Sequence, residues 1–240
     1  EGLHKSIDYF QQAIAKDPNF PLAYTGLADC YVTLSAEEGP EKLLPRAKAA
    51  VVRALEIDHN LAEAHASFAW IKWIYELDQT GAESEFQQAL KLSPNDASAL
   101  YRYARVLADT GRFDEARTQV ARTVEIDPHA IQYRKGIPYI FYLSRRYDEA
   151  IGEYRKLIEI APDFVQIQRE LGLAYEQKGM YEQAFSQFKN ASEMPENYAK
   201  TMVHADLGHL YAVWGKRAQA EQILAELLKK SEQSYVSAYD

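Results

Sequence analysis

A small residue recurs along this chain at nearly constant intervals. Six alanines stand 35, 34, 34, 34 and 36 residues apart: Ala47, Ala82, Ala116, Ala150, Ala184 and Ala220. An apolar or aromatic residue typically follows four positions later, then a small or apolar residue and a helix stop, as in Ala82, Phe86, Ala89 and Pro94. A period of about 34 residues indicates that one two-helix unit is repeated along the chain.

A second helical pattern precedes each alanine phrase. Its members are a bulky residue, a large apolar residue with a small one beside it, and often an aromatic, for example Tyr24, Leu27, Ala28 and Tyr31. The small residue and the later alanine allow two antiparallel helices to approach closely, while the aromatics fill the space towards the next repeat. The pattern therefore predicts a chain of helix pairs without strands.

These two patterns together resemble the tetratricopeptide repeat (TPR) family. The resemblance covers nearly all of the chain and implies an all-α fold, a right-handed superhelical solenoid of antiparallel helix pairs. We expect a single array with a half repeat at 1–20, repeats at 21–61, 62–96, 97–130, 131–164, 165–200 and 201–234, and the start of a further helix at 235–240. Because the pattern is incomplete at both ends, we also expect the chain to be a fragment of a longer protein.

Composition argues against several classes of partner. The formal charge of −8 disfavours a general nucleic-acid binder, because phosphate contacts dominate the affinity of such proteins. No apolar run approaches the roughly 18 residues of a membrane span, so we expect no membrane insertion by this segment. The single Cys30 permits no internal disulfide and is expected to be a core thiol. We expect a cytoplasmic protein, unless a signal or membrane anchor precedes Glu1.

The sequence carries none of the familiar catalytic or cofactor motifs. It has no HExxH, no glycine-rich phosphate loop, no CxxC and no nucleophile elbow. Neither His59 with His65 nor His204 with His209 has a spacing that places both rings on one helical face, which argues against metal ligation. We therefore expect no enzymatic activity, no metal site and no cofactor.

The first helix of each pair is expected to line the concave side of the array, where one stripe of side chains points into a groove. The middle of this stripe is aromatic and basic, although the chain as a whole is acidic. The residues that we expect to form a ligand-binding groove are Trp70, Trp73, Tyr101, Arg102, Arg105, Lys135, Tyr139, Tyr142 and Arg169.

Two interpretations of this stripe compete. In the first, the basic residues bind peptide carboxylates and the aromatics bury apolar side chains, which requires few carboxylate partners within the chain. In the second, the basic residues form ion pairs with Asp109, Glu170 or Glu176, each worth about 1 kcal/mol or less. The family's Lys and Asn clamp for chaperone tails is replaced here by Thr25 and Asp29, so we do not expect binding of such tails.

Two segments depart from the repeat pattern. The connection at 35–46 is about seven residues longer than its counterparts, and we interpret it as a surface insertion or, alternatively, a lid that contacts a ligand. Pro138 lies inside a first helix, so we expect that helix to be kinked or irregular around 134–138. The alternatives there are a harmless kink and a local widening of the groove.

The phrasing of several repeats, including LGLAYEQKGMYEQA and LGHLYAVWGKRAQA, is similar to the C-terminal TPR arrays of bacterial signalling proteins such as winged-helix regulators, Ser/Thr kinases and nucleotide cyclases. This resemblance implies a docking or sensory array. We predict a noncatalytic protein–protein interaction scaffold that binds a peptide or protein segment. The alternatives are a sensory domain, in which a small molecule or signalling peptide controls an attached effector, and a structural array whose open ends self-associate.

Overall fold

The computed structural model describes residues 2–194 and 199–232. Regular structure in these ranges consists of α-helices and one short π-helical segment, so the expected all-α chain is confirmed there. The expected start of a further helix at 235–240 lies outside the described residues. None of the helices in the described ranges combines the length and apolar character that a membrane crossing requires.

The α-helices follow one another through short connections. In chain order they are α1 (Gly2–Lys16), α2 (Pro21–Glu38), α3 (Pro40–Ile57), α4 (Ala62–Ile71), α5 (Gln79–Leu92), α6 (Ala97–Asp109), α7 (Phe113–Ile126), α8 (Ile131–Arg134), α9 (Gly136–Leu143), α10 (Tyr147–Ile160), α11 (Val165–Gln177), α12 (Tyr181–Glu193), α13 (Ala199–Val213) and α14 (Arg217–Ser231). The π-helical segment, Lys72–Glu76, directly continues α4.

The chain forms two compact units, one ending at Val106 and the other beginning at Leu107, so the boundary falls within α6. In the first unit, each of the helices α1 to α4 packs against the helix that follows it. In the second unit, α7 contacts α8 and α9, and each helix from α9 to α13 packs against its successor. Neighbouring helices therefore pack together within each unit, as the repeat pattern predicts.

The periodic alanines lie in the core between these helices. Five of them are completely buried: Ala47, Ala82, Ala116, Ala150 and Ala184. The apolar residues four positions later in α5, α7, α10 and α12 are equally buried: Phe86, Val120, Tyr154 and Phe188. In α14, by contrast, Ala220 is partly exposed and Leu224 is 57% exposed. The last described helix thus keeps the sequence pattern of the repeat without the burial of the inner repeats.

Glycine takes the small position of the first helix in two of the later repeats, and packing explains why. A Cβ atom added at Gly172 in α11 would lie 2.5 Å from Cε1 of Phe188 in α12. A Cβ atom at Gly208 in α13 would lie 2.9 Å from Cγ2 of Ile223 in α14. These distances are shorter than atoms in packed proteins tolerate, so both pairs approach each other more closely than alanine would allow.

The long connection at 35–46 is not a loop. Helices α2 and α3 extend through it, and the single residue between them is Gly39, whose φ of 100° closes the turn. Leu43 and Leu44 in the first turns of α3 are buried in the core. The added residues are therefore helical, because these leucines give them a packed apolar face.

The helix that contains Pro138 is interrupted, as expected. Helix α8 ends after four residues, and α9 begins at Gly136, one residue beyond the break at Lys135. Pro138 is the third residue of α9 and is buried. An N–H group at the third position of a helix has no acceptor within that helix, so a proline there removes no helical hydrogen bond. The chain therefore accommodates Pro138 by starting a new helix.

The packing at Gly172 predicts opposite effects for the same substitution at two helical glycines. We expect Gly172→Ala to lower the free energy of unfolding by about 1–2 kcal/mol, because the new methyl group overlaps the buried ring of Phe188. Gly152→Ala in α10 should raise it by about 0.5–1 kcal/mol, because the position is open and alanine favours helix. Urea unfolding of both variants tests this, and equal shifts of the same sign would contradict the assigned packing.

Candidate functional site

Seven of the nine predicted groove residues lie in the α-helices that come first in their repeats, and each of the nine is partly exposed. Trp73 lies in the π-helical segment that continues α4, and Lys135 lies at the break between α8 and α9. The nine residues belong to different compact units, which we treat separately. The first-unit patch comprises Trp70, Trp73, Tyr101, Arg102 and Arg105. The second-unit patch comprises Lys135, Tyr139, Tyr142 and Arg169.

A hydrogen-bonded link joins three consecutive first helices in the first unit. Oδ1 of Asp29 in α2 accepts hydrogen bonds from Oγ of Ser67 in α4, at 2.9 Å, and from Nη1 of Arg102 in α6, at 3.1 Å. The Arg102 guanidinium therefore reaches across two repeats to its carboxylate. Because all three side chains are partly shielded from solvent, the link holds the first helices of this unit in register.

The aromatic residues of the first-unit patch lie beside this link. The guanidinium carbon of Arg105 lies 5.5 Å from the centre of the Trp70 ring, which is within the range of a cation–π contact. Trp73 lies in the π-helical segment, which ends at Leu77 in the left-handed conformation with a φ of 53°. A π-helical turn changes the direction of the side chains that follow it, and such turns are frequent at functional sites.

In the second unit, Lys135 and Tyr139 both contact carboxylates of neighbouring first helices. Nζ of Lys135 lies 3.0 Å from Oε1 of Glu170 in α11, and both side chains are largely buried. The hydroxyl of Tyr139 donates a hydrogen bond of 2.6 Å to Oδ1 of Asp109 at the end of α6. The ion pair between Lys135 and Glu170 agrees with the second interpretation of the stripe. Asp109, which that interpretation paired with a basic residue, accepts a hydrogen bond from Tyr139.

Arg169 is held by two parallel hydrogen bonds. Its Nε and Nη2 atoms donate to the two carboxylate oxygens of Asp206 in α13, at 2.5 and 3.1 Å. Both side chains are mostly shielded from solvent. A paired contact of this kind is stronger and more directional than a single ion pair.

Glu176 in α11 is a buried carboxylate on the same face. Its side chain is 4% exposed, and its Oε1 atom lies 2.9 Å from Nδ1 of His209 in α13, an imidazole that is 63% exposed. Burial raises the pKa of Glu176 above its ordinary value of 4.5, the proximity of His209 opposes this, and the charge of Asp206 adds to it. Burial likewise raises the pKa of Tyr142, whose ring packs 5.7 Å from that of Tyr147.

The requirement for few internal carboxylate partners is thus not met by three of the predicted basic residues. Arg102, Lys135 and Arg169 each form an ion pair within their own unit. The nine predicted groove residues include none of the acidic partners, although the second interpretation of the stripe named Glu170. A signal for two of these was present, because Glu170 follows Lys135 by 35 residues and Asp206 follows Arg169 by 37, close to one repeat.

The free thiol and the potential metal ligands of the described residues were the other candidates for a site. Cys30 is a buried free thiol, and burial together with the nearby Asp29 raises its pKa, so the unreactive protonated form is favoured. In the described ranges, no three His, Cys, Asp or Glu side chains are grouped so that they could hold a metal ion.

Comparison with known protein families agrees with the pattern of paired helices. Two family models match, described as "Tetratricopeptide repeat" at residues 78–136 and "TPR repeat" at residues 139–179. The chain is a tetratricopeptide repeat protein. The resemblance seen in the repeated alanine phrases is thereby confirmed, and the fold is one of protein–protein interaction scaffolds.

Solved structures share this fold. A TPR protein from Parabacteroides merdae has a TM-score of 0.71 and 17% identity, with coverage of 98% of this chain and 88% of that chain. The human IFIT1 dimer with m7Gppp-AAAA has a TM-score of 0.82 and 15% identity, with coverage of 98% and 55%. At these identities the likeness concerns the fold alone, and it confirms the predicted all-α TPR class.

The TPR chain also matches a curated protein in sequence. The transcriptional regulator HilA of Salmonella typhimurium is 28% identical over 130 residues, which are 53% of this chain and 23% of the regulator. The chain thus covers less than a quarter of the length of the curated relatives it matches.

The burial of Glu176 predicts a specific pH dependence. A carboxyl whose pKa is higher in the folded than in the unfolded state loses stabilising free energy as the pH rises from the unfolded pKa through the folded one. We therefore expect the stability of Glu176→Gln relative to the natural chain to increase between about pH 4 and pH 7. Thermal unfolding across this range tests it, with Glu153→Gln, at the exposed pair with Lys156, as the control.

The paired contact between Arg169 and Asp206 predicts coupled substitutions. Arg169→Asp should lower the free energy of unfolding by about 1–3 kcal/mol, because it places two carboxylates together in a shielded site. The swapped variant Arg169→Asp with Asp206→Arg should recover part of this loss. Glu153→Arg on the outer face should change stability by only about 0.5 kcal/mol. Additive losses in the double variant, measured by urea unfolding, would contradict the contact.

Proposed function

We propose that this TPR chain is a noncatalytic scaffold that binds a peptide or protein segment along the first helices of its repeats. The observation that carries the proposal is that the nine groove residues are all partly exposed and lie on these first helices or, for Lys135, at the break between α8 and α9. Partly exposed aromatic and basic side chains can lose their remaining solvent contact to a ligand. Such residues contribute most of the binding energy in protein interfaces.

The two patches support different parts of this recognition. The first-unit patch brings three aromatic rings to the first helices, where Trp70 and Trp73 in particular offer large apolar surfaces. Rings of this size bury much area at little cost in side-chain entropy. The second-unit patch is more polar, and its ion pairs orient hydrogen-bonding groups along α9, α11 and α13. We propose that the first patch anchors apolar side chains and the second aligns polar ones.

The sensory interpretation is the second candidate, and the similarity to the regulator HilA favours it. In this case the array would bind a small molecule or a signalling peptide and control an attached effector. Self-association through the ends of the array is the third candidate, and the exposed Leu224 and Leu228 of α14 support it. We propose no catalytic role and no nucleic-acid binding for this segment, in keeping with its net charge of −8.

A selection from a phage-displayed peptide library tests the scaffold function without a known partner. We expect enriched peptides to bind saturably and to slow hydrogen exchange in the first helices, such as α4, α9 and α11. Trp70→Ala or Tyr142→Ala should weaken binding of at least one peptide about tenfold, a loss of ~1.4 kcal/mol that is typical of an interface anchor. Tyr9→Ala, which removes an exposed ring from α1, should leave the affinity within about twofold.

Other outcomes separate the candidates. Failure to enrich any saturable binder, or protection confined to second helices such as α10 and α12, would overturn the scaffold proposal. A ligand that alters hydrogen exchange throughout both units, beyond its contact surface, would favour the sensory interpretation.

A further inference from the structure

We propose that the second unit selects a cationic side chain, Lys or Arg, from the bound peptide, and that Glu176 is the group that accepts it. The proposal rests on the scaffold function above and names the chemistry of the ligand. The basic stripe in the sequence predicts an acidic ligand. The proposed ligand is basic instead, because the atoms that the structure leaves without hydrogen-bond partners are carboxylate oxygens.

The cations of the second-unit patch are already matched by carboxylates. Arg169 donates through Nε and Nη2 to both oxygens of Asp206. Lys135 lies 3.0 Å from Glu170, in a pair whose two side chains are about equally shielded from solvent. A ligand carboxylate would have to break one of these contacts and leave an acidic side chain shielded and unpaired, which is costly.

The carboxylates on the same face are not fully matched. Oε2 of Glu176 is buried and has no hydrogen-bond partner among the described residues, and the same is true of Oε2 of Glu170. A buried acceptor without a donor loses its hydrogen bonds to water without replacement, and the cost is larger when the acceptor is charged. A ligand that brings donors is therefore favoured over a ligand that brings acceptors.

The surroundings of Glu176 show which donor fits. Its Oε1 atom lies 2.9 Å from Nδ1 of His209, whose side chain is 63% exposed, and the proposal requires this imidazole to rotate away when the ligand binds. The adjacent Asp206 adds negative charge to the site. Tyr142 on α9 is close enough for the charges of Glu176, Asp206 and Arg169 to affect its pKa. Burial holds the pKa of Glu176 high because the site lacks sufficient compensating charge. A guanidinium or ammonium group supplies both the charge and the donor.

An organic cation suits this site better than a metal ion. In the described ranges, no three potential ligand side chains are arranged to hold a metal. A carboxylate is, by contrast, the usual partner of an arginine or lysine side chain. The ligand class is therefore a peptide with a Lys or Arg that reaches the face formed by α9, α11 and α13.

Titration with two blocked tetrapeptides, one of arginine and one of glutamate, tests the proposal. We expect saturable binding of tetra-arginine with a Kd below about 1 mM, or ~4 kcal/mol, accompanied by a shift of the His209 imidazole resonances in NMR spectra. Glu176→Gln should weaken this binding about tenfold. Glu153→Gln changes the net charge equally, on the outer face, and should change the affinity less than about twofold. Thermal unfolding of each variant verifies that it is folded.

Three results would overturn the proposal. The first is stronger binding of tetra-glutamate, with a loss of affinity on substitution of Lys135. The second is an equal effect of the two glutamine substitutions, which would indicate diffuse attraction to the acidic chain. The third is the absence of both saturable tetra-arginine binding and a His209 shift in the natural chain, a result that needs no variant. Each of these leaves the scaffold function standing, since acidic or uncharged peptides selected on the first helices would still support it.

Discussion

The close approach of two helices within a repeat is the contact on which the rest of this molecule depends. It requires a very small residue facing a large buried side chain, as Gly172 faces the ring of Phe188. A bulkier residue at either place would separate the helices and expose the apolar face of the next repeat. Because this contact fixes the rotation of each first helix about its axis, it also decides which side chains remain on the outward face where a ligand can bind.

The groove-facing side of the first helices carries ion pairs and hydrogen bonds that are separate from the apolar core. Arg169 and Asp206 join α11 to α13, whereas Asp29, Ser67 and Arg102 join three helices of the first unit. Each contact is partly shielded and directional, so it positions polar groups more than it stabilises the fold. In the second unit, unpartnered hydrogen-bond acceptors lie on the carboxylates of Glu170 and Glu176, which is the physical basis for the proposed preference for cationic peptides.

Two segments depart from the repeat pattern, and in each the packing of the helices accommodates the departure. Pro138 is tolerated because α9 begins just before it, so that the missing N–H falls in a first turn. The long connection at 35–46 becomes two lengthened helices because Leu43 and Leu44 find space in the core. The proline could be interpreted from sequence, since its effect on the backbone is local. The fate of the long connection could not, since a polar stretch with two leucines is compatible with both a loop and a helix.

Sequence alone determined the TPR family and the all-α class, because spacing, small residues and helix stops act within one repeat. Each of the nine groove residues is partly exposed, and their role in binding stays a prediction. Only the tertiary structure decided that Lys135 and Arg169 are paired and that Glu176 retains an unmatched oxygen. These contacts join helices about 35 residues apart in sequence. Whether two such side chains come within hydrogen-bond distance depends on the direction of each side chain as well as on the repeat.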